Sequence, residues 1–241
     1  PGGSQVRILY LLTQSLDYPS GVGRYWPLAR EMARLGHEVE VAVLHPAFGA
    51  VRERISFQDG VHVRHTGPMH VRQVGDERLY YGPLGLGWAV ARGTVGLLLP
   101  ALLARADVIH VCKPHPMNGL AGLAGRWFRG RKLFVDCDDY EAESNRFGSG
   151  WQKRIVAFWE DRLPHQARGV TTNTRFMQRR LESMGYPSDR IAYVPNGVGP
   201  EWLNPLSSRT LKALRQQLEI EGRPVVGYVG SLSLASHAVD L

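Results

Sequence analysis

Several short apolar runs in this 241-residue chain end directly on residues that can do chemistry. The loop Ser20-Gly-Val-Gly-Arg-Tyr25 joins one such run to a helical pattern. Gly21 and Gly23 let the backbone around Val22 and Arg24 approach a ligand, and the helix start offers N–H groups and a partial positive charge to an anion such as phosphate. A plain tight turn accounts for the same glycines. The loop also fails the dinucleotide fingerprint, because Arg24-Tyr25-Trp26 supplies no third glycine. Lys113, after the run Val108 to Val111 and beside Pro114-His115-Pro116, is either a point charge suited to a phosphate group or a solvated surface lysine. His115, fixed between two prolines, is a candidate ligand-binding group or a loop histidine. Asp136-Cys-Asp-Asp139 closes the next run. Asp136 and Asp138 can share a hard cation only while the strand continues through both. Asp138 and Asp139 can instead accept hydrogen bonds from a hydroxyl-bearing ligand, or cap and support the local backbone. Asn145 and Arg146, downstream of Glu141 and Glu143, sit in a polar loop suited to lining a cleft, and Thr172 to Thr174 read as a helix cap.

These positions acquire meaning from the elements that carry them. Arg7 to Leu12, Glu38 to Leu44, Ile55 to Gln58, Val61 to His65, Val108 to Val111, Lys132 to Asp136, Gly169 to Thr172 and Ile191 to Val194 have the length and apolar content of strands. Helical spacing fills the intervals, notably after Val22, from about Leu84 to Arg105, from Asn118 to Phe128, from Lys153 to Leu163 and from Arg175 to Met184. Such alternation predicts an α/β fold, a doubly wound parallel sheet with helices on both faces, whose ligands bind beyond the carboxyl ends of the strands. Pro195 to Pro205 is turn-rich, a helix capped by Ser207 or Ser208 follows, and Pro224 to Val229 reads as a fresh strand opening into Gly230-Ser231. The expected organisation is a first domain over 1–198, a linker and helix over 199–223, and the start of a second domain over 224–241.

With these motifs in order, the sequence resembles the family 4 glycosyltransferases of the B-type two-domain fold. The resemblance is carried by Ser20 to Tyr25 with Leu35-Gly-His-Glu-Val-Glu-Val41, Asp107-Val-Ile-His110, Ile191-Ala-Tyr-Val-Pro-Asn-Gly-Val198 and Gly227-Tyr-Val-Gly-Ser231. It implies a Rossmann-like acceptor domain and the beginning of a nucleotide-sugar-binding domain. By that resemblance Gly21, Val22, Gly23 and Arg24 approach the donor's phosphates and transferred sugar, and Asn196 and Gly197 shape the turn between domains. Gly230 and Ser231 form the donor-domain turn, where family members commonly carry a basic residue instead of Ser231. Asp138 stands where members often have a histidine facing the reacting sugar. Lys113, His115, Asp139, Asn145 and Arg146 are the expected acceptor-binding residues. No metal and no cofactor is expected, the nucleotide sugar being the substrate.

Composition bounds the alternatives. The chain is 44% hydrophobic and 21% charged, as in a globular protein. Its 29 Lys and Arg against 22 Asp and Glu give a net charge of +7, which draws it to anions. The basic residues are scattered, which argues against a nucleic-acid-binding tail. Cys112 and Cys137 lack Cys-x-x-Cys spacing and read as buried cytosolic thiols. The apolar stretch Leu84 to Leu103 carries Arg92 at its middle and reads as a buried or membrane-facing surface helix rather than a span. The expected activity is transfer of a sugar from a nucleotide sugar to the hydroxyl of a saccharide, lipid-linked or small-molecule acceptor, with retention. The expected setting is the cytoplasm, with peripheral contact at the inner face of the membrane and no nucleic-acid partner. The lack of most of a donor site makes the chain an inactive portion in this reading. The rivals are a nucleotide-sugar epimerase of the same architecture and a non-catalytic acceptor-binding module.

Overall fold

The structure, a computed structural model, describes residues 4–74, 77–144, 147, 149–199 and 203–227. It divides into one unit over Pro1–Gly197 and another over Val198–Leu241.

In the first unit the strands are β1 (Arg7–Leu12), β2 (Glu38–His45), β3 (Ile55–Gln58), β4 (Val61–Pro68), β5 (Val71–Val74), β6 (Glu77–Tyr80), β7 (Val108–Cys112), β8 (Lys132–Asp136), β9 (Gly169–Thr172) and β10 (Ile191–Tyr193). The helices are α1 (Trp26–Arg34), α2 (Pro83–Leu103), α3 (Pro116–Arg129), α4 (Glu141–Ser144), α5 (Gly150–Gln166) and α6 (Arg175–Ser183). Eight strands form one sheet in the order β10-β9-β8-β7-β1-β2-β4-β3, parallel except for the β3–β4 pair. The hairpin β5–β6 and the short helix α4 escape the sequence reading, being too short for a periodic signal.

Strand alternation explains why both faces are covered. In β1, Leu9 and Leu11 enter a core shared with α2, α3, α5 and α6, while Tyr10 and Leu12 point the other way to Tyr25 and Ala29. β2 does the same, with Ala42 and Leu44 on the first side and Val39, Val41 and Val43 on the second. The chain lays β2 and β4 on one side of β1 and then crosses through α2 to β7 on the other. This reversal opens a crevice at the carboxyl ends of β1 and β7.

Helix α2 is 21 residues long and, by length and composition alone, apolar enough to cross a membrane. Its Ala89, Gly93, Gly96, Leu97 and Ala101 are nevertheless buried in the protein. A Cβ on Gly93 would meet Leu44 Cδ1 and the Pro68 carbonyl oxygen at 3.0 Å, so glycine there is what lets the helix lie directly on the sheet. Both cysteines are buried and unpaired with each other.

In the second unit, Ser207 caps α7 (Ser208–Gln217) by accepting a hydrogen bond from the Thr210 N–H at 3.1 Å. The strand expected at Pro224 is not formed over 224–227, and the rest of that stretch lies outside the described residues together with Gly230 and Ser231.

Candidate functional site

The first turn after β1 is a π-turn over Gly21–Tyr25, closed by the Trp26 N–H donating to the Gly21 carbonyl. Pro27 supplies the reason. It has no N–H to give to the carbonyl one turn back, so the helix, which opens with the Val22 N–H donating to the Tyr18 carbonyl, widens into the π-turn ahead of the proline, and α1 follows from Trp26. The two glycines have different jobs. A Cβ on Gly21 would lie 2.5 Å from the Ser15 carbonyl oxygen and 2.6 Å from Leu16 Cα, so the backbone crossing demands glycine. Around Gly23 there is open space, and Gly23 and Val22 are exposed.

Arg24 corrects the sequence reading. Instead of reaching for a donor phosphate, its buried guanidinium turns inward, with Nε and Nη2 each donating to the Asp136 carboxylate at 2.6 Å. Nη1 donates to the Val194 carbonyl and to Asn196 Oδ1, both at 2.9 Å. Thr171 Oγ1 donates a further hydrogen bond to Asp136. A planar fork meeting a carboxylate this deep in the sheet is a structural clasp. It fixes the π-turn to β8 and to the end of β10, and it gives Asn196 a role that its turn motif alone did not reveal. Gly197 is exposed beside it.

At the end of β7, Lys113 takes a left-handed backbone conformation with φ of 64°, uncommon for a residue with a side chain. The Asp136 carbonyl accepts its N–H, and its own carbonyl accepts hydrogen bonds from the His115 N–H and from Asn118 Nδ2. Asn118 Nδ2 also donates to Leu11 and Cys112 carbonyls, stitching β1 to β7 at the crevice. This turn aims the Lys113 ammonium into a nest of carboxylates. It lies 3.4 Å from Asp138, 3.3 Å from Asp139 and in contact with Glu141. Burial works to lower the Lys113 pKa, but Asp138, Glu141 and Asp139 together outweigh it and hold the ammonium charged.

Cys137 donates its N–H to the Thr171 carbonyl, so the β8 ladder runs one residue past Asp136 and strand alternation puts Asp136 and Asp138 on one side. They do not share a cation, however: Arg24 takes the first and Lys113 the second. Asp138, Asp139 and Glu141 do bring their ligand atoms within 4.8 Å of one another, and Lys113 is the cation seated among them. Asp138, expected to face the reacting group, is 4% exposed and accepts the Asp139 N–H at 2.8 Å, whereas the Asp139 carboxylate is more than half exposed. Asn145 and Arg146 lie outside the described residues.

His115 is half-buried, with Nδ1 2.9 Å from Thr13 Oγ1, and burial lowers its pKa to about 4, so it is a neutral imidazole at neutral pH. Glu141, Lys113 and His70 are its electrostatic neighbours. Thr13 was legible in principle as the residue following β1. His70 and Glu160 were not, since only packing brings them here. Glu160, mid-way along α5, accepts hydrogen bonds from the N–H groups of Glu141 and Ala142 at 2.6 and 3.0 Å and so holds the start of α4 in place. Thr174 caps α6 as its position predicts, accepting from the Met177 N–H at 3.1 Å.

Burial pushes the Glu160 carboxyl up to about 7, against the pull of the Ala142 and Glu141 N–H groups, and pushes Asp138 up to about 6, with Lys113 opposing. Unfolded carboxyls release their protons at about 4. Each of these two carboxyls therefore holds more protons in the folded than in the unfolded chain between about 4 and its raised value, and the stability it contributes falls as pH rises through that window, whereas His115, lowered by burial, contributes with the opposite sign there. Glu160→Gln is expected to remove the Glu160 share of that fall and so make the slope of melting temperature against pH less negative towards pH 7. An unchanged slope would remove Glu160 as its source.

Residues 20–197 match the family described as glycosyl transferase 4-like domain. No match is found among curated protein sequences. Among solved structures, Anabaena HepE in complex with UDP and glucose superposes with a TM-score of 0.53 at 20% identity over 89% of this chain and 50% of HepE. Sucrose-phosphate synthase from Thermosynechococcus elongatus gives a TM-score of 0.51 at 13% identity over 88% of this chain and 99% of that one. The chain thus spans about half the length of HepE. Those likenesses establish the fold, and the match over 20–197 establishes the family: the chain belongs to the glycosyl transferase 4-like domain family.

Proposed function

We propose that this chain is the acceptor-side domain of a glycosyltransferase that moves a sugar from a nucleotide sugar to an acceptor hydroxyl with retention at the anomeric carbon. The observation that carries the reading is the crevice at the β1–β7 reversal. There the exposed backbone of Val22 and Gly23 at a helix start stands over the site that Arg24, Asp136, Lys113 and Asp138 build beneath it. Family membership supplies the reaction class. The complexes of HepE with UDP and with UDP-glucose support a nucleotide sugar as the kind of donor such a fold holds.

In this reading the residues divide their work. The positive end of the helix that begins just ahead of the π-turn faces the departing diphosphate, whose developing charge is the main quantity to be stabilised. Lys113 and its three carboxylates form a pre-set charged floor, exposed Asp139 accepts hydrogen bonds from acceptor hydroxyls, and half-buried His115 exchanges one with them. Glu160 and Asn118 position these groups without touching substrate.

The decisive experiment supplies the full-length protein that carries this domain with a panel of nucleotide sugars, with and without acceptors. Acceptor-dependent release of nucleoside diphosphate with the new linkage in the donor's anomeric configuration is expected. Isomerised nucleotide sugar in the absence of acceptor would overturn transfer in favour of epimerisation, and an inverted product would overturn retention. Transfer is further expected to survive chelation, because the Lys113 ammonium already occupies the one cluster of carboxylates, among the described residues, that could recruit a cation. Loss of activity in EDTA with recovery on adding Mn²⁺ or Mg²⁺ would refute this.

A further inference from the structure

Helix α2 presents an apolar stripe that the fold leaves open. Leu84, Trp88, Val95, Leu99 and Leu103 recur at helical spacing, and each is at least half exposed, reaching 93% at Leu84. The opposite side of the same helix is buried against the sheet and α3. The one charge within the stripe, exposed Arg92, holds its guanidinium over the Trp88 ring at 5.0 Å and the Phe48 ring at 5.7 Å. At the carboxyl end of the helix the stripe runs into a shallow cavity of about 380 Å³ with a basic wall. Leu103 and exposed Phe128 form its lips, and Arg105 and Arg129 stand beside them. The two other arginines of the cavity are occupied. Arg7 is paired with Asp107, and Arg131 donates to the carbonyls of Ala101 and Ala104 that end α2. Arg105 and Arg129 are exposed and have no ion pair among the described residues.

We propose that this face docks on an anionic phospholipid surface, with the α2 stripe and Phe128 entering the headgroup boundary and Arg105 and Arg129 meeting lipid phosphates. Length and apolarity alone would fit a span, but the face of α2 that carries Ala89, Gly93, Gly96, Leu97, Pro100 and Ala101 is committed to the protein core, so the helix lies along the interface. Charge selects this occupant over a second copy of the chain, which would bring the same arginines and the same net charge of +7 to the contact. The proposal does not rest on the sugar-transfer reading, and its test needs no turnover.

The test is flotation of the intact chain with vesicles of pure phosphatidylcholine and with vesicles that also contain phosphatidylglycerol. Binding is expected on the anionic vesicles and to weaken as salt rises. Arg105→Ser with Arg129→Ser is expected to weaken it about 25-fold, at about fivefold per arginine. Leu99→Gln with Leu103→Gln is expected to abolish binding through a separate set of residues. All four side chains are exposed, so unchanged melting curves accompany both variants, and a variant that fails this check leaves the other pair to decide. Excess inorganic phosphate is expected to leave vesicle binding intact, and release of the chain by phosphate would reassign the cavity to a small free anion. Failure of the folded chain to float, equal binding by both variants, or a dimer in size-exclusion chromatography that the leucine variant dissociates while vesicles go unbound would each overturn the proposal.

Discussion

In the full-length protein that carries this domain, an alanine at position 23 is expected to cut turnover on the order of 100-fold while leaving the melting temperature unchanged or slightly raised. Gly23 lies in a helical turn with no positive φ, and a Cβ there meets nothing within 4 Å in the protein. Within the fold, alanine at this place costs nothing and removes backbone freedom from the unfolded chain. Whatever rate is lost must come from a ligand that needs the space. Gly21→Ala is the contrasting variant. Its Cβ would press on backbone atoms of Ser15 and Leu16 at 2.5 to 2.7 Å, so the loop after β1 must shift, at a cost of about 1–3 kcal/mol. The pair separates the two uses of glycine in one motif, and measuring melting and donor kinetics on both variants checks it. A stable Gly23→Ala protein with unchanged kinetics would take the π-turn out of the active site.

The second large effect is expected at the buried clasp. Arg24→Met leaves the Asp136 carboxylate uncompensated in the sheet, with Thr171 as its remaining side-chain donor, and Asp136→Asn leaves a guanidinium without its counter-charge. Each single change is expected to cost about 3–5 kcal/mol in urea unfolding, since both side chains are almost fully buried. Replacing both by apolar residues of similar volume is expected to cost less than either alone, because no orphaned charge remains. Arg24 also holds Val194 and Asn196, so Arg24→Met is expected to speed amide exchange over 194–197 more than Asp136→Asn does. Equal exchange in the two variants would show that the segment is held by other contacts.

The sequence by itself determined the order of the eight strands of the main sheet and of the longer helices between them, and the strand ends where chemistry gathers. Those features are local. Apolar runs such as Ile109 to Val111, the Pro116 start and Gly130 stop of α3, and the Thr174 cap of α6 act within a few residues and are read directly from residue type. Motif order was enough to recognise the family, and the matched residues 20–197 contain the Ser20 to Val41 and Asp107 to His110 stretches and all but the last residue of Ile191 to Val198. Only the tertiary structure decided what each polar side chain does. Arg24 looked like a phosphate ligand from its place in a glycine loop, yet its partner Asp136 is 112 residues away. Asp136 and Asp138 looked like a pair and proved to answer to different cations. Glu160, silent inside a helix, acts on a helix start 19 residues earlier. The same divide holds for α2: its apolarity was plain in the sequence, but which half is buried depends on where β4 and α3 place their surfaces. Pairing between charges and burial of one helix face are long-range events, fixed by sheet order, and a linear pattern carries the propensity of each residue without the identity of its partner.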